Sequence, residues 1–344
     1  MRVESGGYAS DLLRLESVSL AARDAGLAET IVLGSLRFQS QLDFLIEQYS
    51  ERPRLKLDLE VRIALRMGIY QLRYLDRIPA HAAVMESVEL VKRARKRSAG
   101  GLVNAILRKV DPTPDGTGVT WPDRARTLSV PEWMVARWDA RYGAEIAEGI
   151  ARAALEEPRT YLNQVTGRQQ DIGAQSIVPL LNIEAGMTVL DLCAAPGNKT
   201  AQALAAGAGV VAADRYGARM AAVPVEASRV VLDATQALPF GVDVRFDRIL
   251  IDAPCSGTGT LAHNPEIKWR LKLKDLEDFR VRQRAMIERA IPHLKPDGRM
   301  VYATCSLEPE ENEEAVSGFR VVETRLRIPG KEPGDGFFAA VIVG

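Results

Sequence analysis

From Gly186 onward four short apolar runs each stop at an aspartate: Thr188-Val-Leu-Asp191, Val210-Val-Ala-Ala-Asp214, Val230-Val-Leu-Asp233 and Ile249-Leu-Ile-Asp252. A fifth, Met300-Val-Tyr-Ala-Thr304, ends beside Cys305. Short continuous apolar runs separated by helical stretches predict the buried strands of a mostly parallel α/β sheet, doubly wound with helices on both faces. In such sheets ligands bind outside the carboxyl ends of the strands, near the point where strand order reverses. All five strand ends are therefore expected to converge on one cleft.

The first part of the chain has a different period. Leu12, Leu13, Leu15 and Val18, then Ile31, Leu36, Leu42 and Leu45, then Ile63, Met67, Tyr70 and Leu75 recur at helical spacing. Val84, Val88 and Val91, and then Leu102, Ile106 and Val110, continue the pattern, which predicts an all-α module of five or more helices. Asp111-Pro-Thr-Pro-Asp-Gly-Thr-Gly118 breaks it and reads as a linker. Between Pro131 and Leu155 a second helical stretch carries Trp133, Trp138 and Tyr142. The expected division is a helical domain over 1–112, a linker and short subdomain over 113–170, and an α/β domain over 171–344.

A chain of 344 residues is long enough for two cores. Lysine plus arginine and aspartate plus glutamate each number 45, so no global field draws the protein to nucleic acid or membrane. Any basic surface must be local, and the densest run is Lys92-Arg-Ala-Arg-Lys-Arg97, where Lys92, Arg93, Arg95, Lys96 and Arg97 are candidate phosphate contacts. Met1 to Leu13 has no basic segment followed by an apolar stretch, and nowhere do 18 apolar residues run together, so a soluble cytoplasmic protein is expected. Three cysteines do not make a disulfide framework, and His81, His263 and His293 have no ligand spacing, so no metal is expected.

Asp191-Leu-Cys-Ala-Ala-Pro-Gly-Asn-Lys-Thr200 joins the first strand to a helix beginning near Lys199. Its small residues and Gly197 let backbone approach a ligand, and the helix start offers unpaired N–H groups. The glycine spacing is too short for a phosphate loop of the Walker type. Asp214 stands where a carboxylate takes both ribose hydroxyls of a nucleoside cofactor, and Asp233 where one accepts from an adenine amino group. Cys193 reads best as a small packing thiol within the loop.

The remaining motifs are Asp252-Ala-Pro-Cys-Ser-Gly-Thr-Gly259 and Thr304-Cys-Ser306. Two thiols at the ends of buried strands point to covalent chemistry on a pyrimidine base. C5 of cytosine is too electron-poor to attack a methyl donor until a nucleophile adds at C6. A thiolate suits this, being nucleophilic near neutral pH and a competent leaving group when the adduct collapses. Addition is helped by a proton donor at N3, and Asp252 is placed to supply one.

Together, Asp191 to Thr200, Asp252 to Gly259 and Tyr302-Ala-Thr-Cys-Ser-Leu-Glu-Pro-Glu-Glu-Asn312 resemble the S-adenosylmethionine-dependent RNA cytosine-C5 methyltransferases. Arg77-Ile-Pro-Ala-His-Ala-Ala-Val84 and Gly101-Leu-Val-Asn-Ala-Ile-Leu-Arg-Lys109 are similar to the NusB-type helical domain that the Sun/RsmB branch carries. The resemblance extends to Asp335-Gly-Phe-Phe-Ala-Ala340 and implies methylation of 16S ribosomal RNA by a Rossmann-like catalytic domain. It implies Cys305 as the nucleophile and Cys255 as the residue that helps release product. It also implies that Asp214 and Asp233 bind ribose and adenine, that Cys193, Ala194, Ala195, Pro196 and Gly197 cradle the methionine end, and that Lys199 and Asp252 line the pocket. A monomer acting on a single-stranded RNA loop is expected.

The chain departs from that family in length. Only about six residues separate Pro158-Arg-Thr-Tyr-Leu-Asn163 from Gln170-Asp171, where the family places a small RNA-binding subdomain. The stretches from Asp214 to Asp233 and from Asn312 to Asp335 are short as well, the first leaving little room for a crossover helix. Asn198 replaces a common glycine. Two other functions fit the same motifs: a transfer RNA methyltransferase of the same chemistry, and a non-catalytic RNA-binding or assembly factor that only holds cofactor. A thiol redox protein is disfavoured because no Cys-X-X-Cys spacing exists.

Overall fold

The structure, a computed structural model, describes residues 2–3, 7–51, 56–111 and 118–344; positions 112–117 of the expected linker lie outside the described residues. The chain forms two compact units, one of Met1–Glu156 with Asn264–Arg270, the other of Glu157–His263 with Leu271–Gly344.

The first unit is helical. It contains α1 (Ala9–Glu16), α2 (Ala22–Arg37), α3 (Gln39–Ser50), α4 (Leu59–Tyr74), α5 (Ala80–Arg93) and α6 (Gly100–Leu107), followed by α7 (Arg124–Thr127), α8 (Glu132–Tyr142) and α9 (Ala144–Ala153). The apolar spacing seen in the sequence becomes one core, in which Leu65 and Ile69 of α4 meet Leu42 and Leu45 of α3, Val91 of α5 and Val103 of α6. Gly34 lets α2 lie close on α4, since a Cβ there would stand 1.9 Å from the Tyr70 ring. Leu15 and Val18 share the spacing but are exposed, because α1 stops at Glu16 before the pattern is complete.

Asn264–Arg270, far along the sequence, belongs to this first unit. Glu266 accepts the Ala9 N–H at 2.9 Å, the buried Lys268 amino group donates to the Arg37 carbonyl at 2.8 Å, and the Trp269 indole donates to the Leu36 carbonyl at 2.7 Å. No periodicity in so short a segment signals this.

The second unit is built on a seven-stranded sheet of β1 (Thr188–Asp191), β2 (Gly209–Asp214), β3 (Ser228–Val231), β4 (Phe246–Asp252), β5 (Leu294–Thr304), β6 (Val321–Arg327) and β7 (Phe337–Val343). The order is β3-β2-β1-β4-β5-β7-β6, with β1 to β5 parallel and β7 antiparallel to both neighbours. Strand order reverses between β1 and β4, and register aligns their carboxyl ends: Asp191 pairs with Leu250, and Asp252 with Ala303, two residues before Cys305. One face packs against α11 (Asn198–Ala205), which comes after the short α10 (Ile172–Gln175) in the chain, through Ala203. The other packs against α13 (Leu273–Ala290), which comes after the short α12 (Ile267–Arg270) in the chain, through Met286, Ile287 and Ala290.

The short stretches behave as their length dictates. Between β2 and β3 there is only a 3-10 segment, Gly217–Ala222. Pro158 to Asn163 forms no full strand; it is reduced to a single antiparallel bridge from Leu162 to Gln169. Its turn is closed by Gly167 N–H to the Asn163 carbonyl at 2.8 Å and by Asn163 N–H to the Arg168 carbonyl at 2.9 Å.

Candidate active site

The loop after β1 is tied to the strands on either side of it. Leu192 N–H donates to the Leu250 carbonyl at 3.0 Å and Ala194 N–H to the Ala213 carbonyl at 2.9 Å. Ala195 N–H donates to the Asp214 carboxylate at 3.2 Å, so the loop and the end of β2 are fixed together. Gly197 has φ +95°, and a Cβ there would lie 2.7 Å from both the Val223 Cα and the Pro224 Cδ. Only glycine fits.

Two arginines that sequence reading passed over hold this loop from outside. Arg168 donates to the Asn198 side-chain oxygen at 2.8 Å and to the Pro196 and Ala222 carbonyls at 3.2 and 3.3 Å. Arg219 reaches the Ala195 carbonyl at 3.2 Å. Asn198 also donates to the Gln169 carbonyl at 3.2 Å, so the residue that replaces a glycine anchors the shortened turn to the loop.

Asp214 is buried and also accepts the Tyr216 N–H at 2.9 Å. Asp233 lies two residues beyond β3, where the Thr235 hydroxyl at 2.7 Å and backbone N–H at 3.0 Å hold its carboxyl below the usual range, helped by Arg215 at 3.5 Å. Cys193 packs against the cluster around Leu190 and Leu192, and burial pushes its thiol up.

Lys199, in the first turn of α11, extends to Asp252 at the end of β4, with Nζ 2.6 Å from the carboxylate and 5.5 Å from the centre of the Phe337 ring. Burial opposes the lysine charge, but the Asp252 carboxylate outweighs it and the ammonium is held above its ordinary range. One residue past β5, Cys305 meets Cys255, their sulfurs 3.3 Å apart and both half-buried free thiols. Burial and the hydrogen bond to Cys305 push the Cys255 thiol well up, Cys305 being the larger cause. Beneath the two sulfurs lies the fully buried Glu311, which accepts from the Ser256 N–H at 2.8 Å and the Ser306 hydroxyl at 2.6 Å. Glu311 stands inside a motif singled out in the sequence, yet nothing local reveals partners 55 residues away.

The second unit thus gathers Cys193 to Gly197, Lys199, Asp214, Asp233, Asp252, Cys255 and Cys305 at the carboxyl edge of one sheet. The basic run lies in the first unit, at and beyond the end of α5. There Lys92 pairs with Glu89 at 2.5 Å and Lys96 with Asp58 at 2.8 Å. Arg93, Arg95 and Arg97 are exposed and, among the described residues, pair with no carboxylate.

A sheet of this order, with a glycine loop after its first strand and acidic residues at the ends of the next two, defines a Rossmann-like class I methyltransferase domain. Residues 178–325 match the 16S rRNA methyltransferase RsmB/F family, and residues 3–112 match the NusB family. The chain is 30% identical to ribosomal RNA small subunit methyltransferase B of Cronobacter sakazakii over 411 aligned positions, spanning 99% of this chain and 95% of that one. Identity to the protein of that description in Erwinia tasmaniensis is 31% over 412 positions, with the same coverage. The chain belongs to the RsmB/F family of 16S rRNA methyltransferases. Among solved structures, PH0851 superposes with a TM-score of 0.75 over 96% of this chain and 92% of that one, at 20% identity. A methyltransferase homolog from Pyrococcus horikoshii gives 0.54 over 63% and 96%, at 21% identity. These two likenesses concern the fold. The methyl donor is S-adenosylmethionine, and the residues present fit it: a loop where a Cβ has no room, with carboxylates at the ends of its flanking strands.

Proposed function

We propose that the protein methylates C5 of a cytosine in 16S ribosomal RNA through a covalent adduct between Cys305 and C6. The observation that carries this reading is the approach of the two sulfurs to 3.3 Å beside the strand end that holds the Lys199–Asp252 pair. A lone thiol would be as compatible with packing.

When bound, S-adenosylmethionine supplies a methyl group on a positively charged sulfur. Asp214 and Asp233 hold its ribose and adenine, and Cys193, Ala194, Ala195, Pro196 and Gly197 cradle its methionine end. The Cys305 sulfur and burial hold the proton on Cys255 more strongly than on a free thiol, so Cys255 is assigned as the donor of the pair and Cys305 as the attacking sulfur. Attack by Cys305 forms the S–C6 bond, and the ring double-bond electrons shift toward C5 as N3 takes a hydrogen bond or proton from the Lys199–Asp252 pair. Asp252 enters as half of an ion pair in a partly exposed setting, with Lys199 as the more buried member. After C5 has taken the methyl group, its proton passes to water, the C5–H electrons restore the double bond, the S–C6 bond breaks with its electron pair returning to the Cys305 sulfur, and any proton taken by N3 returns to the Lys199–Asp252 pair. Cys255 is assigned to that release.

The target base must leave its stack to reach a pocket at a strand edge, so a single-stranded loop is the expected substrate. Arg93, Arg95 and Arg97 are assigned to RNA phosphates, within a helical RNA-binding domain over 1–112. Residues 113–170 serve as linker and reduced subdomain, 171–344 as the catalytic domain, and the protein acts as a cytoplasmic monomer. No helix among the described residues is long and apolar enough to cross a membrane.

The test is transfer of labelled methyl groups to unmodified 16S rRNA and, in parallel, to transfer RNA, with the product mapped by mass spectrometry. We expect 5-methylcytosine in the ribosomal RNA and none with Cys305→Ala. Label in transfer RNA alone would establish the other substrate, and cofactor binding without transfer to either would establish an assembly factor.

A further inference from the structure

The carboxylate of Glu311 has all four of its acceptor positions filled, and the donors come from both cysteine loops. One oxygen takes the Ser256 N–H at 2.8 Å and the Gln283 amide at 3.1 Å. The other takes the Ser306 hydroxyl at 2.6 Å and the Ser256 hydroxyl in a short hydrogen bond. Ser256 follows Cys255 in the chain and Ser306 follows Cys305. The residue before Cys255 is held as well, since Gln283 of α13 also donates to the Pro254 carbonyl at 3.1 Å. Glu311 is fixed in turn by the Tyr302 hydroxyl, which donates to its backbone carbonyl at 2.6 Å from within β5.

A buried carboxylate opposes folding unless its hydrogen bonds are complete. Here burial pushes the Glu311 carboxyl up while four hydrogen bonds pull the other way. Gln283 accepts a similar penalty: its Nε2 serves both acceptors and its Oε1 is buried without a hydrogen-bond partner among the described residues. Packing alone would be met by apolar side chains at both places. What the polar pair adds is a fixed distance between two loops that come from different strands.

We propose that Glu311, backed by Gln283, is a positioning residue that sets the separation of the Cys255 and Cys305 sulfurs by gripping both loops at once. The inference rests on the reading that these thiols carry methyl transfer. A displacement of about 1 Å between reacting groups costs on the order of 100-fold in rate. Loss of the grip should therefore fall on kcat, because Glu311 itself is assigned no contact with the methyl donor or with RNA phosphates.

The experiment measures steady-state methyl transfer with the full chain for wild type, Cys305→Ala, Glu311→Ala, Glu311→Gln and Gln283→Met, with calorimetric S-adenosylmethionine binding to count competent protein. Glu311→Ala is expected to lower kcat about 100-fold per competent site while both KM values stay within about threefold. Glu311→Gln should recover most of the loss, since its oxygen still accepts the two N–H groups while the serine hydroxyls turn to accept from its amide. Gln283→Met releases the Pro254 carbonyl and removes one of the four donors to Glu311, leaving the grip of Glu311 on Ser256 and Ser306; it should cost about tenfold, and it decides the matter if Glu311→Ala does not fold. Wild-type kcat per competent site in Glu311→Ala, or in Gln283→Met where the former does not fold, overturns the proposal. So does a loss carried by KM alone. Activity in Cys305→Ala would instead overturn the thiol reading, and the grip with it.

Discussion

Asp191 ends β1 and is fully buried, and burial pushes its carboxyl up to about 7 against the pull of the Thr200 hydroxyl at 2.7 Å. An unfolded aspartate releases its proton near 3.9. Between those values the folded chain binds a proton that the unfolded chain does not, so this residue makes stability fall as pH rises from about 4 to about 7. Asp191→Asn keeps an acceptor for Thr200 and removes the titration. Denaturant melts at pH 5 and pH 8 should show wild type losing up to about 3 kcal/mol more than the variant across that interval. Equal slopes in the two proteins would show that Asp191 is ionised throughout. Residues of this kind are only half legible in sequence. The aspartates that close the strands announce themselves by position, whereas Glu311, Gln283, Arg168 and Arg219 act on partners set by the fold and carry no local signature.

At the scale of elements, the apolar runs ending in Asp191, Asp214, Asp252 and Thr304 correspond to β1, β2, β4 and β5, because a fully buried parallel strand can be little else. β3 is displaced two residues toward the N-terminus of its run, covering Ser228–Val231, and is largely exposed at the sheet edge, where fewer contacts reward extended pairing. β6 and β7 have no counterpart among those apolar runs: Phe337–Val343 is buried along nearly its whole length and lacks the alternation of an antiparallel strand, being covered on both faces. The basic run at the end of α5 is also divided by structure. Lys92 and Lys96 are engaged by Glu89 and Asp58, and Arg93, Arg95 and Arg97 remain as the proposed phosphate contacts. Replacing these three by alanine should flatten the dependence of log affinity on log salt by about 2 for single-stranded RNA, measured by fluorescence anisotropy. An unchanged slope would place the RNA path elsewhere.

Over the whole molecule, the alignments to relatives run over 411 and 412 positions, more than the 344 residues here, so those proteins carry insertions this chain lacks. Two of the stretches that read as short in the sequence are the Leu162–Gln169 turn and the 3-10 segment Gly217–Ala222, and the strand ends that gather the candidate site are intact. Arg168 and Asn198 close the gap at the first of these by joining the turn to the methyl-donor loop. The most direct test of the account is to incubate Cys255→Ala with S-adenosylmethionine and substrate RNA, isolate any covalent protein–RNA complex and locate the modified peptide by mass spectrometry. A complex that accumulates with a methylated cytosine attached to Cys305 is the predicted result. Failure to trap any complex while methylation proceeds, or attachment at another residue, would contradict it.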